Sequence, residues 1–339
     1  MNLLFDLSKE HPTIPKKEII VTIKSYQISF NIIYQDDNVF IIEIESNDQI
    51  LPLLSSRLAF THSISEFLFS SSINQEEIMM LAKSNPCIEE GTIAIRYKNR
   101  SQIQDSKIIV QNLASIYTKN KLVDLNEPDV EIYVIITDKK IYVGRLIISI
   151  DRKQYEKRKV KFRPFFSPIS LHPKLARALV NLTHVTSESS VLDPFCGTGG
   201  FLIEAGLIGC NLYGSDIQSE MIDGTIKNLE SFNIKFNDIF ISDIGELNRY
   251  LEKKVDAVIT DAPYGKSTTT KNESLQSLYL RAFESISSIL TLNGYIAIGL
   301  PDKSYENLFK KYFQLKNIII LPVHRSLTRY FYIGVKKEP

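Results

Sequence analysis

Apolar residues fall into two rhythms along this chain, and the change comes between residues 152 and 168. In the first half, residues 19–23, 28–33 and 39–44 are short runs rich in β-branched side chains, which predicts strands. Residues 55–69 and 74–83 carry apolar positions three and four apart, which predicts helices. Further strands are expected at 91–97, 130–136 and 140–146, with a helix near 107–119 and a hairpin turning at Asp138 and Lys139. The expectation is an α+β arrangement, divided into a subdomain over 1–50 and a module over 51–150.

A basic, proline-containing linker is expected over 151–168, because Pro164 and Pro168 disfavour helix. Beyond it, over 169–339, short apolar runs alternate with amphipathic stretches. The runs lie at 190–193, 212–216, 239–243, 257–261 and 295–298, and four of the five end in aspartate. Continuous apolar strands separated by helices predict an α/β domain with a buried, mostly parallel sheet covered on both faces. Ligands of such sheets bind at the carboxyl ends of the strands, where these aspartates fall. Two last apolar stretches, 318–321 and 330–332, are expected to pair as an antiparallel edge hairpin.

Length and composition narrow the class. A chain of 339 residues is long enough for two or three domains. With 44% hydrophobic and 23% charged residues it matches a globular chain and excludes collagenous or disordered ones. No apolar run approaches the ~18 residues of a membrane helix, and Asp6 interrupts any signal-like start, so a cytoplasmic location is expected. The three cysteines, Cys87, Cys196 and Cys210, show no C-x-x-C spacing, and the five histidines are scattered, so no metal is expected. Between residues 139 and 163, ten Lys or Arg stand against two carboxylates, Asp151 and Glu156. Such density favours either a polyanionic partner or a solvated linker.

The chemistry concentrates in two places. Residues 193–200 read DPFCGTGG and precede a helical pattern. Glycines between strand and helix let backbone approach a ligand closely. The third glycine of a dinucleotide fingerprint would fall at Leu202 and is missing, and no Gly-Lys-Ser/Thr follows, so dinucleotide and triphosphate ligands are disfavoured. Asp193 at the strand end suits a cationic amine or sulfonium. Asp216, 23 positions later, stands where a carboxylate grips a ribose diol. Asp243 closes the third strand, in reach of an adenine amino group.

The second place is Thr260, Asp261, Ala262, Pro263, Tyr264 and Gly265. An exocyclic base amine is a poor nucleophile because its lone pair delocalises into the ring. A carboxylate and a backbone carbonyl accepting its two hydrogens aim that lone pair at an electrophile. Asp261 and a carbonyl beside Pro263 supply the acceptors, and Tyr264 offers a stacking face for an extruded base. Asp-x-Pro-x-Gly is also good turn chemistry, so the motif alone does not decide. Cys196 reads as a small packing residue, and Arg325 has no assigned role.

Together these loops resemble the S-adenosylmethionine-dependent methyltransferases that modify exocyclic amines. Residues 163–182, RPFFSPISLHPKLARALVNL, resemble more narrowly the archaeal tRNA guanine-10 N2-methyltransferases, related to the eukaryotic Trm11 proteins. Residues 5–12, FDLSKEHP, and 123–130, VDLNEPDV, are similar to that family's N-terminal region and its RNA-binding THUMP domain.

The resemblance implies a Rossmann-like methyltransferase domain with a seven-stranded sheet, preceded by a THUMP-containing region. It implies S-adenosyl-L-methionine held by Asp193, Gly197, Thr198, Gly199, Asp216 and Asp243, and a target amine held by Asp261, Pro263 and Tyr264. The loop from Pro168 to Pro173 is expected over the methionine end of the cofactor. The implied partner is tRNA, with a small activator protein as in the eukaryotic relatives, around a monomer. Ala262 departs from the family's usual second proline and frees a backbone dihedral there. Methylation of adenine N6 or of another guanine N2 in RNA or DNA, or a catalytically silent RNA-binding role, remain the alternatives.

Overall fold

The computed structural model describes residues 1–45, 49–102, 106–167, 170–264, 273–324 and 327–337. It divides into two compact units: residues 1–16, 28–55 and 60–151, and residues 17–27, 56–59 and 152–339.

The first unit is built on one seven-stranded sheet. Its strands are β1 (Asn2–Leu7), β2 (Phe30–Gln35), β3 (Val39–Ile44), β4 (Thr61–Ser72), β5 (Ile93–Asn99), β6 (Val130–Ile136) and β7 (Lys140–Ser149). They lie in the order β2-β3-β1-β4-β7-β6-β5. Only the β5–β6 pair among them is parallel. The helices of the first half are α1 (Ile14–Ser25), α2 (Ile50–Arg57), α3 (Gln75–Ser84) and α4 (Ser106–Tyr117). Asn74 caps α3 by accepting from the Glu77 amide at 3.0 Å, with Glu76 and Glu77 in the first turn. Both α3 and α4 pack apolar residues, Ile78, Ala82, Ile109 and Leu113, into a core shared with β5 and β6.

Two expectations fail here, and one strand is missed. Residues 19–23 were expected as strand and lie in α1. Its buried residues Ile14, Glu18, Ile19, Thr22 and Ile23 repeat at helical spacing, so burial of one face overrides the local preference of β-branched residues. Residues 55–69 were expected as helix, but most of them form β4. That strand pairs with β1 on one side and β7 on the other, and ladder bonds to distant partners decide its state. The missed strand is β1, whose buried Leu3, Leu4 and Phe5 lie between β3 and β4.

The second unit carries α5 (Lys153–Lys157), α6 (Pro173–Asn181), β8 (Ser190–Asp193), α7 (Gly200–Gly206), β9 (Asn211–Asp216), α8 (Ser219–Ser231) and β10 (Asp238–Ile241). A 3-10 turn (Ile244–Arg249) leads to β11 (Val255–Asp261), α9 (Leu275–Ile289), β12 (Leu290–Leu300), α10 (Glu306–Tyr312), β13 (Phe313–His324) and β14 (Leu327–Lys336). The sheet order is β10-β9-β8-β11-β12-β14-β13. Five strands are parallel, and the β13–β14 hairpin closes the edge antiparallel, as expected. The order reverses between β8 and β11. Right-handed crossovers therefore send α7 and α8 to one face and α9 to the other. The switch point at the carboxyl ends of β8 and β11 is where such sheets bind ligands.

Buried polar groups fix this frame. Glu204 on α7 is fully buried between the Arg158 guanidinium, at 2.8 and 3.1 Å, and Arg177 Nε at 2.9 Å. A carboxylate so enclosed is tolerable only when paired, and losing either arginine would leave buried charge uncompensated. Elsewhere in this unit Arg57 Nε donates to Asn181 Oδ1 at 2.8 Å, and Glu18 Oε1 accepts from Asn181 and from the Ala59 amide. These bonds explain why residues 17–27 and 56–59 belong to this unit.

Candidate active site

The glycine loop runs from the end of β8 into α7. Gly197 and Gly199 have φ of 52° and 74°, a left-handed geometry that favours glycine. A Cβ at Gly197 would meet nothing nearer than the Phe195 carbonyl at 4.0 Å, so bare backbone faces open space. At Gly199 the Thr225 side chain closes the opposite side. Thr225 donates to the Gly197 carbonyl at 2.8 Å, and Asn228 Nδ2 donates to the Thr198 carbonyl at 3.0 Å, so α8 holds the loop in shape. Asn228 also bonds both backbone groups of Phe165, and Ser170 Oγ lies 3.0 Å from Thr198 Oγ1. The segment after Arg163 is thereby tied to the loop, while Pro168 itself lies outside the described residues.

The aspartates stand around this loop. Asp193 Oδ1 accepts from Thr260 Oγ1 at 2.6 Å and from the Phe195 amide at 3.2 Å. Burial nonetheless pushes its carboxyl up to about 7, with Asp216 and Asp261 adding to the effect. Asp216 accepts from the Gly197 amide at 3.1 Å and the Gln218 amide at 3.0 Å. Burial raises it too, against those two bonds. Asp243 caps the 3-10 turn through the Gly245 amide at 2.9 Å and is ion-paired with Arg281, which also holds Glu273. Asp193, Thr198, Asp216 and the two glycines form one cradle. It has open backbone and spare carboxyl lone pairs, which fits a ligand with a diol and a cationic centre. Asp243 is engaged by Arg281, a partner its place at the strand end did not reveal.

Beside the cradle, β11 delivers Asp261. Its Oδ2 lies 3.1 Å from Arg329 Nε and 3.4 Å from the Tyr264 hydroxyl. Its Oδ1 is buried and has no hydrogen-bond partner among the described residues. Burial pushes this carboxyl up to about 6, with Arg329 and the Tyr264 bond pulling it down. The Tyr279 hydroxyl donates to the Pro263 carbonyl at 2.7 Å, which fixes the backbone next to Asp261. Tyr264 receives the Arg329 Nε–H at its hydroxyl, with the guanidinium 5.7 Å from its ring centre. Burial raises the phenol to about 12, so it stays protonated. Gly265 lies outside the described residues.

Sequence reasoning missed Arg329, Asn228 and Gly299. Arg329 sits in a strand 68 positions beyond Asp261 (329 minus 261), and its only signal was a charged residue inside an apolar run. The weaker candidates settle into ordinary roles. Cys196 is buried, and burial pushes its thiol up, away from reactivity. His172 caps α6 by accepting from the Lys174 amide at 3.2 Å. Arg325 lies outside the described residues.

An open-backbone glycine loop at a sheet switch point, ringed by aspartates and flanked by Asp-Ala-Pro-Tyr, defines a methyltransferase. The chain matches the family model of the RMKL-like methyltransferase domain over residues 160–330. It is 32% identical to the tRNA (guanine(10)-N2)-dimethyltransferase of Methanothermobacter thermautotrophicus, over 97% of this chain and 98% of that one. With the enzyme of the same name from Pyrococcus abyssi it shares 37% over 73% of this chain and 74% of that one. The chain belongs to the tRNA (guanine(10)-N2)-dimethyltransferase family. Its fold is that of TrmN from Thermus thermophilus, with a TM-score of 0.58 at 16% identity, covering 99% of this chain and 100% of that chain. No helix among the described residues is long and apolar enough to cross a membrane.

Proposed function

We propose that this enzyme transfers a methyl group from S-adenosylmethionine to the N2 amine of guanine 10 in tRNA, giving N2-methyl- and N2,N2-dimethylguanosine. The observation that carries this is Asp261, whose buried Oδ1 has no hydrogen-bond partner among the described residues and whose Oδ2 lies 3.4 Å from the Tyr264 hydroxyl. A buried acceptor without a donor is costly, and a base amine supplies the missing hydrogen.

Asp193, Gly197, Thr198, Gly199 and Asp216 would hold S-adenosylmethionine, which when bound supplies an electrophilic methyl on a cationic sulfur. Asp243 would join them only by sharing its carboxylate with Arg281. Asp261 accepts one N2 hydrogen and a carbonyl beside Pro263 accepts the other, which orients the nitrogen lone pair. Tyr264 stacks on the extruded guanine and offsets part of the few kcal/mol that unstacking costs. Once the N–C bond has formed, the nitrogen is acidic and its proton passes to Asp261. Positioning supplies most of the acceleration, with no covalent enzyme intermediate.

In this reading the first unit supplies the THUMP-type contact to tRNA. Any need for an activator protein would show as low activity of the isolated chain.

The test is methylation of an unmodified tRNA transcript, with the modified nucleotide mapped by nuclease digestion and mass spectrometry. Asp261→Ala is expected to abolish turnover while leaving S-adenosylhomocysteine affinity within about twofold. Full activity of that variant, or a methyl group at another nucleotide, refutes the proposal.

A further inference from the structure

Arg329 on β14 is only 5% exposed and sets its Nε 3.1 Å from the Asp261 carboxylate. A guanidinium is rarely buried without a task, because its desolvation is expensive. Its Nε reaches both Asp261 Oδ2 and the Tyr264 hydroxyl, and its plane lies near the Tyr264 ring. The two residues proposed to hold the target amine are therefore held in turn by a third from a distant strand.

We infer that Arg329 is a positioning residue: it engages Asp261 Oδ2 and the Tyr264 hydroxyl together, and so holds an ionised carboxylate in fixed register with the stacking ring. This rests on the proposed function above and assigns the device that fixes Asp261 beside Tyr264. Without the cation, Asp261 is free to rotate and to take a proton on either oxygen. Among the described residues, the groups facing Asp261 leave no substitute. Asp193 on β8 is another carboxyl and supplies no cation. Tyr279 on α9 is committed to the Pro263 carbonyl, and burial keeps its phenol protonated. Gly299 on β12 brings no side chain. Burial already raises the Asp261 carboxyl to about 6 against the pull of Arg329, so losing the cation raises it further.

The experiment is the pH dependence of single-turnover methyl transfer to unmodified tRNA in wild type, Arg329→Gln and Arg329→Lys, with S-adenosylhomocysteine affinity measured alongside. In Arg329→Gln the acid limb is expected to move up by about one pH unit or more, with cofactor affinity within about twofold. A limb at the wild-type position overturns the inference, because a merely structural arginine would scale the rate equally at every pH. Should Arg329→Gln fail to fold, Arg329→Lys decides. A plateau rate reduced about tenfold, or an upward-shifted limb, supports the clamp, since an ammonium lacks the planar fork. A rate and profile equal to wild type overturn it. Absence of transfer by the wild type tells against the proposed substrate instead; carbon-13 titration of the Asp261 carboxyl in wild type and variant then decides the role of Arg329 by the same upward shift or its absence.

Discussion

Gly299 lies opposite Asp261 in the β11–β12 register, and a Cβ there would run into Asp261 Oδ1 and the Phe331 ring. Glycine inside a strand ordinarily weakens it and marks a place where something approaches closely. Here the something is the carboxylate oxygen that has no partner.

Gly299→Ala is therefore expected to push Asp261 out of line at a modest cost in stability, about 1–3 kcal/mol from overpacking. Methyl transfer should fall by about tenfold to a hundredfold, because small misplacements at the reacting centre are expensive. S-adenosylhomocysteine binding should hold. Paired rate and calorimetric measurements check this, and unchanged turnover would mean that Asp261 tolerates displacement.

Asp193 holds its proton in the folded protein up to about pH 7, whereas an unfolded chain releases it near pH ~4. The folded state carries the extra proton between those values, so stability falls as pH rises through that window. Asp193→Asn removes the dependence and keeps an acceptor for Thr260. It should melt above wild type at pH 8, by on the order of 1–3 kcal/mol, and close to wild type at pH 4. Cofactor affinity should drop at both. Thermal melts across pH test the first part, and a lower melting point at pH 8 would contradict the burial argument.

Tyr264 offers a ring and a hydroxyl, and two substitutions separate them. Tyr264→Phe keeps the stacking face and frees Arg329 from one of its acceptors. Tyr264→Ala removes the face as well, and base stacking is worth about 1–3 kcal/mol. Transfer should fall modestly in the first variant and by a further factor of about ten or more in the second. Equal losses in single-turnover assays would assign the residue's whole effect to its hydroxyl.

The basic stretch from 139 to 163 is less available than its density suggested. Arg145 pairs with Glu66 and Glu89, Arg158 with Glu204, and Arg163 is buried. Lys153, Lys157 and Lys161 are solvent-exposed on one short segment. Reversing all three to glutamate should weaken tRNA binding and make the slope of log affinity against log salt shallower by about two to three units. Filter-binding titrations over a range of salt decide it; an unchanged slope would leave these lysines as solvated surface.

Much of the second unit was legible because its signals are local. Four of the five apolar runs that become the parallel strands end in aspartate, and the glycines of the cradle sit within eight residues of sequence, 193–200. The first unit was harder. The β-branched run inside α1 reads as strand by propensity and is helix because one face is buried. Residues 61–69 carry helical spacing and are strand because β1 and β7 flank them.

The sequence alone determined the chemistry: a glycine turn, strand-end carboxylates and Asp-Ala-Pro-Tyr are short-range patterns, and neighbours in the chain are neighbours in space. Only the folded chain decided which of those carboxylates is free. Arg281 reaches Asp243, Arg329 reaches Asp261, Tyr279 takes the Pro263 carbonyl, and Gly299 clears room for one oxygen. These partners come from strands and helices 16 to 68 positions away, counted from Pro263 to Tyr279 and from Asp261 to Arg329. Pairings over such separations are set by sheet register and helix packing, which no local pattern of residues encodes.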